Sequence, residues 1–154
     1  MGLDLGERRI GVALSDPEQS LAGGLTVLHR TTLDRDLAAI GDLIKRHEVR
    51  AVVLGLPRRL DGSLGPQAFR TLAFGDELRR RLGIVVIPWD ERLTTVEAEQ
   101  AMIEAGVSRK KRKGKLDQVA AALILQSYLD HLADLRRAEE RHRPPGDVHE
   151  EAST

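Results

Sequence analysis

The chain has 154 residues, a length typical of one domain. Its 24 acidic residues balance 24 basic ones, so the chain has no net charge that would attract nucleic acid. Any nucleic-acid site therefore needs a local basic patch. It has no cysteine, which excludes disulfides and cysteine-ligated metal sites and fits a cytoplasmic location. No apolar stretch is long enough to cross a membrane, so we expect no membrane partner, and aromatic residues at 3% disfavour a site that stacks several bases.

The N-terminal residues predict three antiparallel strands. Leu3 and Leu5 alternate with Asp4, Gly6 relieves a tight turn, and an apolar run follows over residues 10–14. Residues 20–29 form the third candidate strand. Because Met1 stands almost at the start of the first strand, we expect a few residues to precede it.

The middle of the chain alternates helices and strands. Apolar residues at helical spacing predict a helix over residues 33–48 and another over 67–81. Continuous apolar runs at 51–54 and 84–87 are typical of strands buried on both faces, and we expect the second to stop at Pro88.

The C-terminal part predicts two helices and a tail. Thr94 and Glu97 form a capping box, so a helix begins near Thr95 and ends near Gly106. The last helix begins near Leu116, and its charged continuation leads into a polar tail that we expect to be disordered. We therefore expect one α/β domain over residues 1–135, followed by a helix extension and tail over residues 136–154, with helices on both faces of a mixed sheet.

Three acidic residues stand where a charge is costly unless it is paired or bound to a metal. Asp4 lies within a strand, on the face opposite the two leucines, where aspartate is disfavoured. Glu91 follows the strand over 84–87, and Asp117 opens the last helix. Structural explanations stay open, because Glu91 could pair with Arg92 and Asp117 could interact with the helix dipole.

Four sequence blocks, taken together, resemble the YqgF family, also called RuvX. These are bacterial RNase H-like proteins described as Holliday junction resolvases or pre-16S rRNA nucleases. The resemblance spans about residues 2–132 and rests on DLGERRIGVA at 4–13, VLGLP at 53–57 with GS at 62–63, DERLTT at 90–95, and DQVAAALILQ at 117–126.

The resemblance implies an RNase H-like fold with a mixed five-stranded sheet, in which three antiparallel strands are joined by parallel ones. It also implies that Asp4, Glu91 and Asp117 converge as catalytic acids that bind two Mg²⁺ or Mn²⁺ ions. Such ions prefer carboxylates and, about 3.5–4 Å apart, activate water and stabilise the leaving oxygen in phosphodiester hydrolysis. We expect the three carboxyl groups within about 4–7 Å of one another. Asp90 is the rival of Glu91, because neighbouring strand residues point to opposite faces.

A basic run directly before Asp117 suits a phosphate backbone, although such runs also occur in solvated loops. We expect it to be a poorly ordered loop that binds nucleic acid through Arg109, Lys110, Lys111, Arg112, Lys113 and Lys115. Arg9, from the first block, is either a further phosphate contact or part of a structural salt bridge. Ser63 either offers its backbone N–H to a phosphate or stands in a plain turn. Arg58 and Arg59 are additional candidates.

The resemblance and the three acids predict a metal-dependent nuclease, a hydrolase that acts in 5′-end processing of precursor 16S rRNA as a monomer or weak dimer. A resolvase that cuts structured DNA is the alternative, and it needs two active sites in a symmetric dimer. A non-catalytic nucleic-acid-binding factor is a further alternative. A phosphotransferase is the least favoured, because the actin-like fold that also opens with D-x-G in a hairpin needs two such domains.

Overall fold

The computed structural model of the chain describes residues 1–90 and 109–146, and side chains within 1–90 and 116–146. Its strands are β1 Gly2–Leu5, β2 Arg9–Ser15, β3 Ala22–His29, β4 Ala51–Leu56 and β5 Val85–Asp90. Its helices are α1 Leu33–Arg46, α2 Pro66–Leu82 and α3 Arg109–His142. Among these described helices, none is long and apolar enough to span a membrane.

The five strands form one mixed sheet in the order β3-β2-β1-β4-β5. The first three pair antiparallel, whereas β1, β4 and β5 run parallel. The predicted mixed five-stranded sheet with helices on both faces is therefore confirmed. Because β1, β4 and β5 point the same way, their carboxyl ends lie along one edge, which brings Asp4 to the same end of the sheet as Asp90.

One face of the sheet carries large aliphatic side chains and is covered by α1 and α2; we call it the aliphatic face. Helix α1 begins where the Thr32 hydroxyl accepts a hydrogen bond from the Arg35 amide. Helix α2 ends at Gly83, whose left-handed φ of 61° suits glycine. The buried residues of this core include Leu3, Leu5, Ile10, Val12, Leu37, Ile40, Val52, Leu54, Phe74, Leu78 and Val86.

The opposite face is covered by α3, and glycines bring that helix close; we call it the glycine face. A Cβ added at Gly11 would lie 2.0 Å from the backbone oxygen of Asp117, and one added at Gly2 would lie 2.8 Å from the Leu125 Cβ. At Gly24 the approach is less close, because an added Cβ would lie 3.0 Å from the Gln118 Cβ. The backbone of α3 therefore rests on the sheet itself, and a small apolar core follows along the helix, with Ala13, Val53, Ala121, Ile124, Leu125 and Leu129.

The structure differs from the sequence prediction at the end of β5. This strand continues through Pro88 to Asp90, and Val85 is 60% exposed, so the predictions that it stops at Pro88 and is buried on both faces are wrong. The reason is its position: β5 is the last strand in the sheet order, and an edge strand tolerates a proline that cannot donate a ladder hydrogen bond.

The start of the last helix also differs from the prediction. Helix α3 begins at Arg109 and includes the whole basic run, so the expected loop is wrong. Lysine and arginine are good helix formers, and the single Gly114 does not break the helix. The same helix continues through the charged segment to His142. The helix predicted over 95–106 and residues 147–154 of the tail predicted over 144–154 lie outside the described residues.

Candidate active site

Two of the three predicted metal ligands lie beside Gly11 on the glycine face. In the antiparallel ladder, Asp4 on β1 is the direct partner of Gly11 on β2, and such partners have Cα atoms about 4.5–5.5 Å apart. The same glycine touches the backbone of Asp117 at the start of the docked part of α3. A side chain at position 11 would push these two elements apart, so the glycine is what allows the two aspartates to approach.

The Oδ2 atom of Asp117 is close to a cation but accepts no hydrogen bond from the described residues. Arg9 Nε lies 2.9 Å from Asp117 Oδ2, so the salt-bridge explanation for Arg9 is the contact observed. Their relative orientation is not that of a hydrogen bond, and this buried Oδ2 accepts none from any residue in the described part of the chain. A buried carboxylate oxygen left without a hydrogen bond is unusual, and it is the kind of donor that Mg²⁺ or Mn²⁺ takes.

The third predicted ligand, Glu91, lies outside the described residues, but its rival Asp90 can be located. By strand alternation Asp90 is on the same side as Val86, which packs into the aliphatic face. Its carboxylate is 4.0 Å from Arg58 Nε, while the preceding Trp89 contacts Tyr128 of α3 with ring centroids 5.3 Å apart. Asp90 is therefore on the face of the sheet away from Asp117.

The convergence of three acids stays a prediction, because it depends on Glu91. Within residues 1–90 and 116–146, no three acidic or histidine side chains are grouped so that they could hold a metal ion. The described residues place Asp4 and the backbone of Asp117 beside the same glycine, and the role of both as metal ligands stays a prediction.

A second polar cluster, which the sequence reasoning missed, holds the turn between β1 and β2. Arg30 donates from Nη1 to the Gly6 carbonyl at 2.8 Å, and its amide donates to the Arg8 carbonyl at the same distance. The carboxylate of Asp36, only 5% exposed, lies 3.6 Å from Arg30 Nε and accepts the Thr31 amide. The signal that could have revealed this cluster is Asp36, which directly precedes Leu37 near the start of an amphipathic helix.

Comparisons with known proteins show the family of this chain. A profile of the RuvX family, described as Holliday junction resolvase, matches residues 1–131. The chain belongs to the RuvX family. The resemblance seen in the four motif blocks is therefore confirmed.

Two curated relatives extend over most of the chain. A protein of Halothermothrix orenii is 53% identical over 131 residues, which cover 85% of this chain and 94% of the relative. One of Myxococcus xanthus is 49% identical over 145 residues, which cover 94% and 89%. Both carry the name "Putative pre-16S rRNA nuclease".

Solved structures show the fold. The T. thermophilus RuvC in complex with a Holliday junction matches with a TM-score of 0.55 and 17% identity, covering 86% of this chain and 94% of that one. The Fowlpox virus Holliday junction resolvase matches with a TM-score of 0.51 and 12% identity, covering 85% and 96%. The predicted RNase H-like fold is thereby confirmed.

Apart from Arg9 on β2, the predicted nucleic-acid contacts of this RuvX family member fall in two places. The basic run occupies the first two turns of α3, directly before Asp117, and the side chains of residues 109–115 lie outside the described part. Ser63 stands in the turn after β4, where its amide and hydroxyl both donate to Asp61 Oδ1, at 2.9 and 2.6 Å. These bonds hold the pKa of the Asp61 carboxyl below its usual range. The Ser63 amide is therefore hydrogen-bonded within the turn, which agrees with the alternative that Ser63 stands in a plain turn.

Proposed function

We propose that this chain is a divalent-metal-dependent nuclease that hydrolyses phosphodiester bonds in the 5′-end processing of precursor 16S rRNA. The observation that carries the proposal is the pair of aspartates beside Gly11, one of which has a buried Oδ2 without a hydrogen bond. Membership of the RuvX family and the names of the relatives in H. orenii and M. xanthus support the same conclusion.

The residues present fit a site for two Mg²⁺ or Mn²⁺ ions held by Asp4, Glu91 and Asp117. Ions bound there would supply an activated water and stabilise the leaving oxygen. The protein's own part is to hold the carboxylates in place: β1 positions Asp4, and α3 positions Asp117. Arg9 balances the negative charge at Asp117 from 2.9 Å, and its guanidinium has further N–H groups of the kind that bind a non-bridging phosphate oxygen.

The most direct test is cleavage of a 5′-labelled RNA that spans the 5′ end of precursor 16S rRNA, with Mg²⁺, with Mn²⁺, and with a chelator. We expect cleavage only with metal, and a loss of about 100-fold or more in Asp4→Asn, Glu91→Gln and Asp117→Asn. Asp90→Asn is the matched control, because Asp90 neighbours Glu91 in the chain but lies on the aliphatic face. Full activity in Asp4→Asn, or loss in Asp90→Asn alone, would contradict the assignment.

Binding is separated from cleavage by a salt titration. Asp4→Asn removes a negative charge near the phosphates, so RNA binding persists or tightens while cleavage falls. Neutralising Lys110, Lys111, Arg112 and Lys113 together weakens binding, and each lost phosphate contact flattens the slope of log affinity against log salt by about 0.7 for a single strand. An unchanged slope in this variant would mean that the basic run only faces solvent.

Depletion of the protein in its source bacterium, followed by mapping of rRNA 5′ ends, tests the substrate. Accumulation of extended 16S ends is expected, and unchanged ends would remove the ribosomal role while leaving the nuclease activity.

A Holliday junction resolvase is the second candidate, favoured by the description of the matching family profile. This activity needs two sites in a symmetric dimer, whereas trimming an RNA end needs one. Cleavage of a four-way DNA junction in preference to the RNA, by a chain that sediments as a dimer, would favour the resolvase.

A further inference from the structure

The turn over residues 58–64, between β4 and α2, is a preorganised structure. Backbone bonds close it from the Gly62 amide to the Arg59 carbonyl at 2.8 Å and from the Arg59 amide to the Ser63 carbonyl at 3.0 Å. Gly62 has a φ of 85°, which a glycine adopts without strain. The bonds from Ser63 to Asp61 brace the turn further. We call this segment the Leu60 turn.

The tip of the Leu60 turn presents an apolar side chain directly after two cations. Leu60 is 86% exposed, more than any other large hydrophobic residue in the described part of the chain. Arg58 and Arg59 precede it directly and are exposed, and the carboxylate of Asp61 is engaged by Ser63 within the turn. A rigid turn that displays a leucine next to two arginines suits a partner that combines flat apolar surfaces with negative charge.

The Leu60 turn stands at the same end of the sheet as the candidate active site. It follows the carboxyl end of β4, and Arg58 Nε lies 4.0 Å from the carboxylate of Asp90, the residue before Glu91. Two residues span at most about 7 Å of chain, so the backbone of Leu60 stays near this edge. The turn and the acids therefore share one edge of the sheet, and a nucleic acid that extends from the acids along this edge would meet the turn.

We propose that Leu60 is an apolar wedge that packs against an unstacked base next to the cleaved bond, while Arg58 and Arg59 contact the flanking phosphates. Proteins that distort nucleic acids insert leucine and similar side chains between bases in this way. The contact gives the nuclease a preference for a boundary between single strand and duplex, where unstacking a base costs least, over a continuous duplex. This inference rests on the proposed function and names the substrate feature that the site recognises.

The test compares two RNA probes, a duplex with a single-stranded extension and a continuous duplex, each with 2-aminopurine at the boundary position and in Ca²⁺ to prevent cleavage. Leu60→Ser removes the wedge, and Leu60→Phe restores a large apolar side chain. Leu21→Ser is the matched control: Leu21 is also exposed, at 68%, and also follows a turn braced by an aspartate, Asp16. That turn follows β2, which runs antiparallel to β1, so it lies at the opposite end of the sheet.

We expect the wild-type chain and Leu60→Phe to raise the 2-aminopurine fluorescence of the boundary probe. Leu60→Ser should lose that signal and bind the boundary probe about tenfold more weakly, with unchanged affinity for the continuous duplex. Leu21→Ser should behave as the wild type. Because binding is measured without cleavage, a chain that binds as expected but never cleaves with Mg²⁺ would remove the proposed function and keep the wedge.

Three outcomes would overturn the wedge: equal binding of both probes by the wild-type chain and Leu60→Ser, equal losses in Leu60→Ser and Leu21→Ser, or no binding at all. A fourth is a self-associating wild-type chain that Leu60→Ser converts to a monomer with unchanged RNA binding, since Leu60 would then belong to a protein interface.

Discussion

The two faces of the sheet are built from opposite kinds of residues. On the aliphatic face, residues such as Leu3 and Leu54 fill the space beneath α1 and α2. On the glycine face, Gly2 on β1 and Gly11 on β2 leave the backbone of α3 resting on the strands, and a charged residue of β1, Asp4, is the direct partner of Gly11. The aliphatic face buries the larger set of apolar side chains, and the glycine face lets the backbone of Asp117 approach the strand beside Asp4.

The largest effect is expected from Gly11→Ala. Its Cβ would meet a backbone oxygen at 2.0 Å, and a backbone atom cannot move aside cheaply, so α3 must shift away from the sheet. We expect a loss of about 4 kcal/mol in the free energy of unfolding, measured in urea, and no detectable cleavage. A stable, active Gly11→Ala would show that α3 does not rest on the glycine face.

Ile40→Ala tests the aliphatic face. Ile40 is fully buried beneath the sheet on α1, and its truncation leaves a cavity that should cost about 3 kcal/mol. Since α1 lies across the sheet from the aspartates, cleavage per folded molecule should stay at the wild-type level. Loss of cleavage in a fully folded Ile40→Ala would break the proposed division between the faces.

Asp36→Asn tests whether the aliphatic face also positions the site. The change weakens the ion pair between Asp36 and Arg30. Arg30 in turn donates a hydrogen bond to the Gly6 carbonyl, in the turn between Asp4 and Arg9. We expect a loss of about 1–2 kcal/mol, less than for a fully buried pair because Arg30 is partly exposed, together with slower cleavage at unchanged RNA affinity. Asp76→Asn, in an exposed pair with Arg79, should change neither quantity.

The smallest effect on this scale is expected from Gly24→Ala. Its Cβ would lie 3.0 Å from the Gln118 Cβ, a contact that a small shift relieves, so a loss of about 1 kcal/mol with retained cleavage is expected. Gly23→Ala is the matched control, because nothing lies within 4 Å of its added Cβ. Equal unfolding free energies for the two variants would mean that α3 is not held closely at β3.

Much of the fold could be predicted because its signals are local. The alternation around Asp4 and the apolar run at 51–54 each indicate a strand by themselves, and the motif blocks carry the family. The course of β5 through Pro88 could not be predicted, since a proline in a strand is tolerated only at an edge, and the edge is a property of the whole sheet.

The candidate site was predictable in its residues but not in its construction. Asp4 and Asp117 are visible in the sequence as acids at unfavourable positions. The role of Gly11 is not visible in the sequence. A glycine in a strand gives the same pattern whether a helix backbone packs against it or it faces solvent. The hold of Arg30 on Gly6 was also hidden, since a hydrogen bond between distant turns leaves no periodic pattern.

The contact between Arg9 and Asp117 has a consequence for the order in which the chain folds. Arg9 is on β2 and Asp117 is on α3. Arg9 is therefore synthesised early and Asp117 late. Pairing of this kind, between segments far apart in the sequence, is completed late in folding. Arg9 and Asp117 therefore meet only once α3 has docked on the sheet.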